Sequence, residues 1–124
     1  MIIIQFILLF LQPEISIDTM TIDFKDQALE ELYTEGFTNN HKYKRLSRDI
    51  VKRYIKVVNY IKAANRVEEL FLINSLHYEK KKGDLNGIEA VWINNQYRLF
   101  FHSSPDKNGI IVHALLIEIS KHYE

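Results

Sequence analysis

Five histidines (His41, His77, His102, His113 and His122), the lysine run Lys80-Lys81-Lys82, Arg98 and the terminal pair His122-Tyr123 are the side chains in this 124-residue chain that could move protons or hold phosphate. Cysteine is absent, which removes thiolate nucleophiles, disulfides and thiolate zinc sites together. No two histidines stand at i,i+3 or i,i+4, and there is no Gly-rich phosphate loop, His-Glu-x-x-His pair or nucleophile elbow. No metal and no cofactor are therefore expected. The remaining set suits metal-free phosphodiester chemistry. Cleaving RNA through its own 2′-OH needs one group to remove that proton, another to protonate the leaving 5′-oxygen, and cations around the crowded phosphorane.

Each candidate also has a plainer reading. Arg98, between Tyr97 and Leu99, could satisfy buried carbonyls or pair with Glu118. The lysine run could be a solvated loop, and His122 and Tyr123 could be frayed, being so near the last residue. His113 alternates with apolar neighbours and reads as a satisfied core histidine; His102 reads as surface.

These residues must be positioned by elements that the apolar spacing outlines. Thr21 to Phe24 reads as a strand and Asp26 to Tyr33 as a short helix stopped by Gly36, with acids crowding its first turns. A longer helix is predicted from about Leu46 to Asn65, capped by Ser47. Leu46, Ile50, Tyr54, Val57, Ile61 and Ala64 recur at three- and four-residue steps as its core stripe. Arg45, Arg48, Lys52 and Lys56 follow the same spacing on the opposite side. Leu70 to Leu76 reads as a loop plus a strand. Ile88 to Ile93 alternates, Asn94-Asn95 makes a hairpin turn, Tyr97 to Phe101 returns, and Ser103 to Gly109 turns again. Ile110 to Ile119 is apolar on both faces and should lie inside the sheet. The fold class expected is α+β: two N-terminal helices packed on an antiparallel sheet of about four strands.

The net charge is zero, yet it is segregated along the chain. Residues 1–40 hold one Lys against seven acids (−6), residues 41–66 nine basic residues against Asp49 alone (+8), and residues 67–124 six against eight (−2). So dense a positive stretch points to an anionic partner such as nucleic acid, the alternative being a solvated helix face. Ile2 to Leu11 is apolar except for Gln5 and, as a helix of about 15 Å, is too short to span a bilayer of about 30 Å. No Lys or Arg precedes Lys25, so a signal peptide is not indicated either. Met20 stands just before the first strand. Residues 1–19 are therefore expected to be an extension outside the fold and residues 20–124 the domain, in the cytoplasm, with a hydrophobic anchor as the competing reading.

Lys82-Gly83-Asp84-Leu85-Asn86-Gly87, followed by Trp92-Ile93-Asn94-Asn95-Gln96-Tyr97-Arg98-Leu99, resembles the core motif of the RelE/ParE toxin superfamily, and within it the HigB branch, the plasmid-maintenance killer proteins. The opening strand, the helix from Asp26 to Tyr33 and the closing Ile117-Glu118-Ile119-Ser120-Lys121-His122-Tyr123 are similar too, so the resemblance runs from Met20 to Glu124. It implies a RelE-like fold and a type II toxin that cuts mRNA on the ribosome without metal. It also implies a cognate antitoxin of helix-turn-helix type, with operator DNA reached only through that antitoxin and no membrane partner. Carried over position by position, the catalytic candidates are Lys82, Arg98, His122 and Tyr123, with His77 matched to the group's histidine before the motif. The RNA- or ribosome-binding candidates are Arg45, Arg48, Lys52, Lys56, Lys80 and Lys81. The ending departs from the group's usual Asp-Tyr-His: Lys121 replaces the acid, and the imidazole and phenol are displaced. Two other readings of the same fold are a gyrase poison like the ParE branch and an inactive homologue that only binds its antitoxin.

Overall fold

Thr21, Ile22 and Phe24 favour extended backbone, and strand β1 (Thr21–Phe24) begins a computed structural model that describes residues 20–105 and 111–122. The predicted extension, residues 1–19, and Tyr123 lie outside the described residues. Asp26 then accepts from the Leu29 N–H at 2.9 Å and caps helix α1 (Gln27–Glu35). Gly36 closes that helix in the left-handed conformation (φ 84°), which costs glycine nothing. Ser47 caps helix α2 (Arg48–Ala63) through its hydroxyl, which accepts from Ile50 N–H at 3.2 Å. The predicted boundaries, Leu46 and Asn65, shorten at both ends to these capped limits.

The expected strand within Leu70–Leu76 is not formed. The chain instead makes helix α3 (Glu68–Phe71) and a 3₁₀ turn at Asn74–Leu76. The Glu69 carboxylate reaches back to the Asn65 and Arg66 amides, closing a helical turn that outweighs the β propensity of the apolar run. Strand β2 (Glu79–Lys80) then precedes β3 (Glu89–Trp92), β4 (Tyr97–Pro105) and β5 (Ile111–Lys121).

The sheet has five strands, in the order β1-β5-β4-β3-β2, rather than about four. β1 is parallel to β5, and the other pairs are antiparallel. The added strand, β2, lies in a charged segment with no apolar alternation, so only its pairing with β3 reveals it. Strand β5 is interior, as expected.

Helices α1 and α2 cover one face of the sheet. Leu29, Leu32, Tyr54, Val58 and Ile61 meet Val91, Leu99, Phe101, Leu116 and Ile119 there, all buried. Each such side chain contributes roughly 1.5–3 kcal/mol by leaving water. The β5 core positions step from Leu116 to Ile119 because a bulge shifts the register between Phe100↔Glu118 and Phe101↔Leu116. Beyond Leu116 strand β1 has ended. The Tyr43 hydroxyl takes over by accepting from Ile119 N–H at 3.3 Å, so the loop before α2 covers that edge. Alternation sends Trp92, Arg98, Phe100, Glu118 and Ser120 to the opposite face.

Candidate functional site

The β3–β4 hairpin organises the site. Asn94 Oδ1 accepts from the Gln96 and Tyr97 amides at 2.8 and 2.7 Å, and Ile93 N–H donates to the Tyr97 carbonyl at 2.9 Å, so the predicted Asn-Asn turn is the observed one. Trp92 and Arg98 are directly opposite in register. The Arg98 guanidinium carbon lies 4.1 Å from the Trp92 ring centre, and its Nη1 donates to the carbonyls of Asn94 (2.9 Å) and Tyr97 (3.3 Å). Only 8% of Arg98 is exposed. The carbonyl-satisfying role anticipated for it is thus real, while Glu118 is taken by Lys42 at 3.1 Å.

The His77 ring also lies on Trp92, with centroids 3.8 Å apart and planes 28° from parallel. His77 follows the 3₁₀ turn with φ 45°, left-handed backbone that costs a non-glycine residue roughly 1–2 kcal/mol. His77, Trp92 and the Asn94-Asn95 turn form one wall of a cleft of about 800 Å³, and Lys52, Lys56 and Tyr60 of α2 form the other. Arg53 on the same helix is tied to Asp49 at 3.0 Å.

On the other side of the hairpin, the His122 amide donates to the Gln96 carbonyl at 2.6 Å, so the last described residue is fastened to the turn and not frayed. A hollow of about 250 Å³ beside it is lined by Lys42, Arg45, Tyr97 and Lys121. Arg45 therefore lies off the helix, in the loop before it, and continues the basic ridge toward the β5 end. Arg48 is exposed on the first turn of α2.

Lys80, Lys81 and Lys82 line a separate hollow of about 410 Å³ together with Glu89, His102 and Ser103. Lys81 reaches the face that carries Arg98, its ammonium 5.7 Å from the Phe100 ring centre and 3.4 Å from the Glu79 carboxylate. Lys82 is exposed ahead of a 3₁₀ turn at Gly83–Leu85 and does not line the Trp92 cleft.

The profile of the HigB-like toxin family, described as the RelE-like toxin of the type II toxin–antitoxin system HigB, matches residues 22–117. The chain belongs to this family. A comparison with curated proteins finds no match. Among solved structures, the chain is similar to the YoeB/ParE toxin from Agrobacterium tumefaciens, with TM-score 0.54, 13% identity, 84% of this chain and 100% of that one covered. It is also similar to a chain of the YoeB-YefM complex from Staphylococcus aureus, with TM-score 0.50, 25% identity and coverage of 84% and 98%. The first likeness is one of fold alone.

In this HigB-like toxin, then, the structure brings His77, Lys52 and Lys56 to one cleft, joins Arg98 to it through Trp92, and seats His122 and Arg45 across the hairpin. The lysine run stands apart. Tyr123, the second half of the terminal pair, lies outside the described residues. Among the described residues no group of three or more His, Asp or Glu side chains could hold a metal ion.

Sequence reasoning passed over two features. Trp92 was visible only as an alternating strand residue, although a lone tryptophan directly opposite an arginine in a predicted hairpin is a legible signal. Glu89 falls inside the alternating run Ile88 to Ile93, but its partners are set by tertiary contacts that the run does not encode. It is 4% exposed and accepts from Tyr78 OH (2.5 Å), Ser103 N–H (2.6 Å) and Ser103 Oγ (2.8 and 2.7 Å). Burial, followed by the bond to Glu89, pushes the Tyr78 phenol far up. His113, expected in the core, is half-exposed at the β1–β5 seam and satisfied by Thr21 (3.1 Å) and Asp23 (3.3 Å).

Proposed function

We propose that this toxin is a ribosome-dependent, metal-free mRNA endonuclease. The observation that carries the reading is the shared cleft. An exposed imidazole and the basic face of α2 share one cleft, with a buried arginine packed against its Trp92 wall, so that an RNA phosphate entering it would meet Lys52 and Lys56 together. The reaction begins with His122 taking the 2′-OH proton. The 2′-oxygen then attacks phosphorus and the P–O5′ bond breaks, leaving a 2′,3′-cyclic phosphate. The departing 5′-oxygen receives a proton from Tyr123 or water. Arg98 stabilises the charge on the phosphorane, and Lys82, which the structure seats in a separate hollow, would have to reach the phosphate from there. No metal is needed, because the nucleophile belongs to the substrate.

The basic ridge (Arg45, Arg48, Lys52 and Lys56), with Lys80 and Lys81 of the separate lysine run, docks the protein on ribosomal RNA and the message. A cognate antitoxin holds the toxin inactive; the Staphylococcus aureus structure is itself of a toxin with its partner. Translation reactions containing ribosomes, followed by primer extension on the message, test the reading. The expected result is discrete cuts in translated mRNA and none in free mRNA. Arrest of growth without any cuts would overturn it in favour of a non-nuclease inhibitor.

A further inference from the structure

His77 was matched by resemblance to a proton-handling histidine, yet its surroundings are those of a stacking residue. Among the described residues neither ring nitrogen has a hydrogen-bond partner, so nothing orients it as an acid or base. What holds the ring is the face of Trp92, itself in contact with the Arg98 guanidinium. The backbone accepts a left-handed conformation at His77, the only non-glycine residue with positive φ among those described, to present the ring there. Strain of that kind persists where the surrounding structure enforces it, and it concentrates at ligand-contacting positions. His77 is exposed and forms the partition between the basic cleft and a second hollow of about 450 Å³ beside Phe71 and Tyr78. A column of cation, indole and imidazole that ends in an open ring is a platform for one more flat group.

We propose that His77 is a nucleobase-stacking residue, backed by Trp92, and that single-stranded RNA enters the cleft with one base on the imidazole and its phosphates against Lys52 and Lys56. The proposal rests on the nuclease reading for its choice of RNA as ligand. Phosphates lie within reach of ammonium groups across the cleft, and stacking tolerates any base because every base has a π-face. Any preference among messages would then arise from stacking strength at this position rather than from hydrogen bonds to base edges.

Trp92 is the only tryptophan in the chain, so its fluorescence reports on the platform directly. The test uses the full chain and a short 2′-O-methyl oligoadenylate, which cannot be cut, beside an abasic counterpart of equal length. Wild-type protein is expected to bind the intact oligonucleotide with quenching of Trp92 and the abasic one roughly five- to hundredfold more weakly. His77→Ala should lose the same factor on the intact oligonucleotide and little on the abasic one. His77→Phe should recover it, because it keeps a flat face without a titratable nitrogen. Equal binding of the two oligonucleotides by wild type would overturn the proposal, as would unchanged binding by His77→Ala or failure of the phenylalanine to rescue. Since binding is read without cleavage, a protein that stacks bases but never cuts mRNA would sink only the nuclease reading. One that cuts but ignores the abasic change would sink only the stack.

Discussion

Arg98 and His122 flank the same hairpin turn, but they depend on it differently, and their substitutions should separate. Removing the Arg98 guanidinium leaves the Asn94 carbonyl without its donor and Trp92 without its cation, while the Tyr97 carbonyl keeps the Ile93 N–H. Arg98→Ala should therefore destabilise the fold by about 1–3 kcal/mol in urea titrations, besides lowering single-turnover cleavage by roughly 10²–10³. His122 is exposed and, among the described residues, is held to Gln96 through its backbone, a bond that alanine keeps. His122→Ala should hold the wild-type urea midpoint and ribosome binding while cleavage falls about 10²–10⁴-fold. A His122→Ala protein cutting at the wild-type rate would move the base to another residue.

At the scale of elements, α2 both builds the core and presents the charge. Ile50, Val51, Tyr54, Val57, Val58 and Ile61 are buried, while Arg48, Lys52 and Lys56 are exposed. Reversing those three to glutamate should leave the thermal midpoint nearly unchanged, because exposed pairs contribute little. Ribosome pelleting should weaken sharply, with a flatter dependence on salt, since phosphate contacts act by releasing counterions. Unaltered pelleting at every salt concentration would mean that the ridge is only a solvated face. Short element lengths matter equally. Because β1 stops at Phe24, the second half of β5 relies on the Tyr43 loop, which ties the segment carrying Arg45 to the strand that leads into His122.

For the molecule as a whole, two measurements address what holds the domain together. Met20 is 2% exposed, and its N–H donates to the Ala64 carbonyl at 2.9 Å, a bond that a terminal amine can still make. A chain starting at Met20 should melt at the same temperature and arrest growth equally; loss of either would assign Ile2–Leu11 to the core or to an anchor. Among the described residues no helix is long and apolar enough to cross a membrane. The second measurement is alkaline stability. Burial pushes the phenols of Tyr43, Tyr54 and Tyr78 above their ordinary value of 10.0. The unfolded chain therefore releases these protons first, near pH 10, and binds fewer than the folded one. Their contribution is complete below about pH 10 and is lost as pH rises through the folded values, so the urea midpoint should fall across that range. A flat midpoint there would contradict the burial of these hydroxyls.

The sequence alone determined the α+β class, both main helices with the Gly36 stop and the Ser47 cap, the Asn94-Asn95 hairpin and the interior place of β5. Each rests on short-range physics: periodicity, caps and turn chemistry act within a few residues and can be read off the chain. It also carried the family, through a motif whose spacing spans one hairpin. Only tertiary structure decided the rest. The two-residue β2 exists because β3 offers it an edge, and the helical turns at Glu68–Leu76 override an apolar run. His113 leaves the core for a seam with Thr21 and Asp23. The site shows the same division. Lys82 and Arg98 share one motif, yet Lys82 lines a hollow apart from the cleft while Arg98 is packed against Trp92; His77 and Lys52, 25 residues apart in the chain, share a cleft. Pairings between distant segments depend on which strand edges and side-chain volumes meet, and no local pattern encodes that.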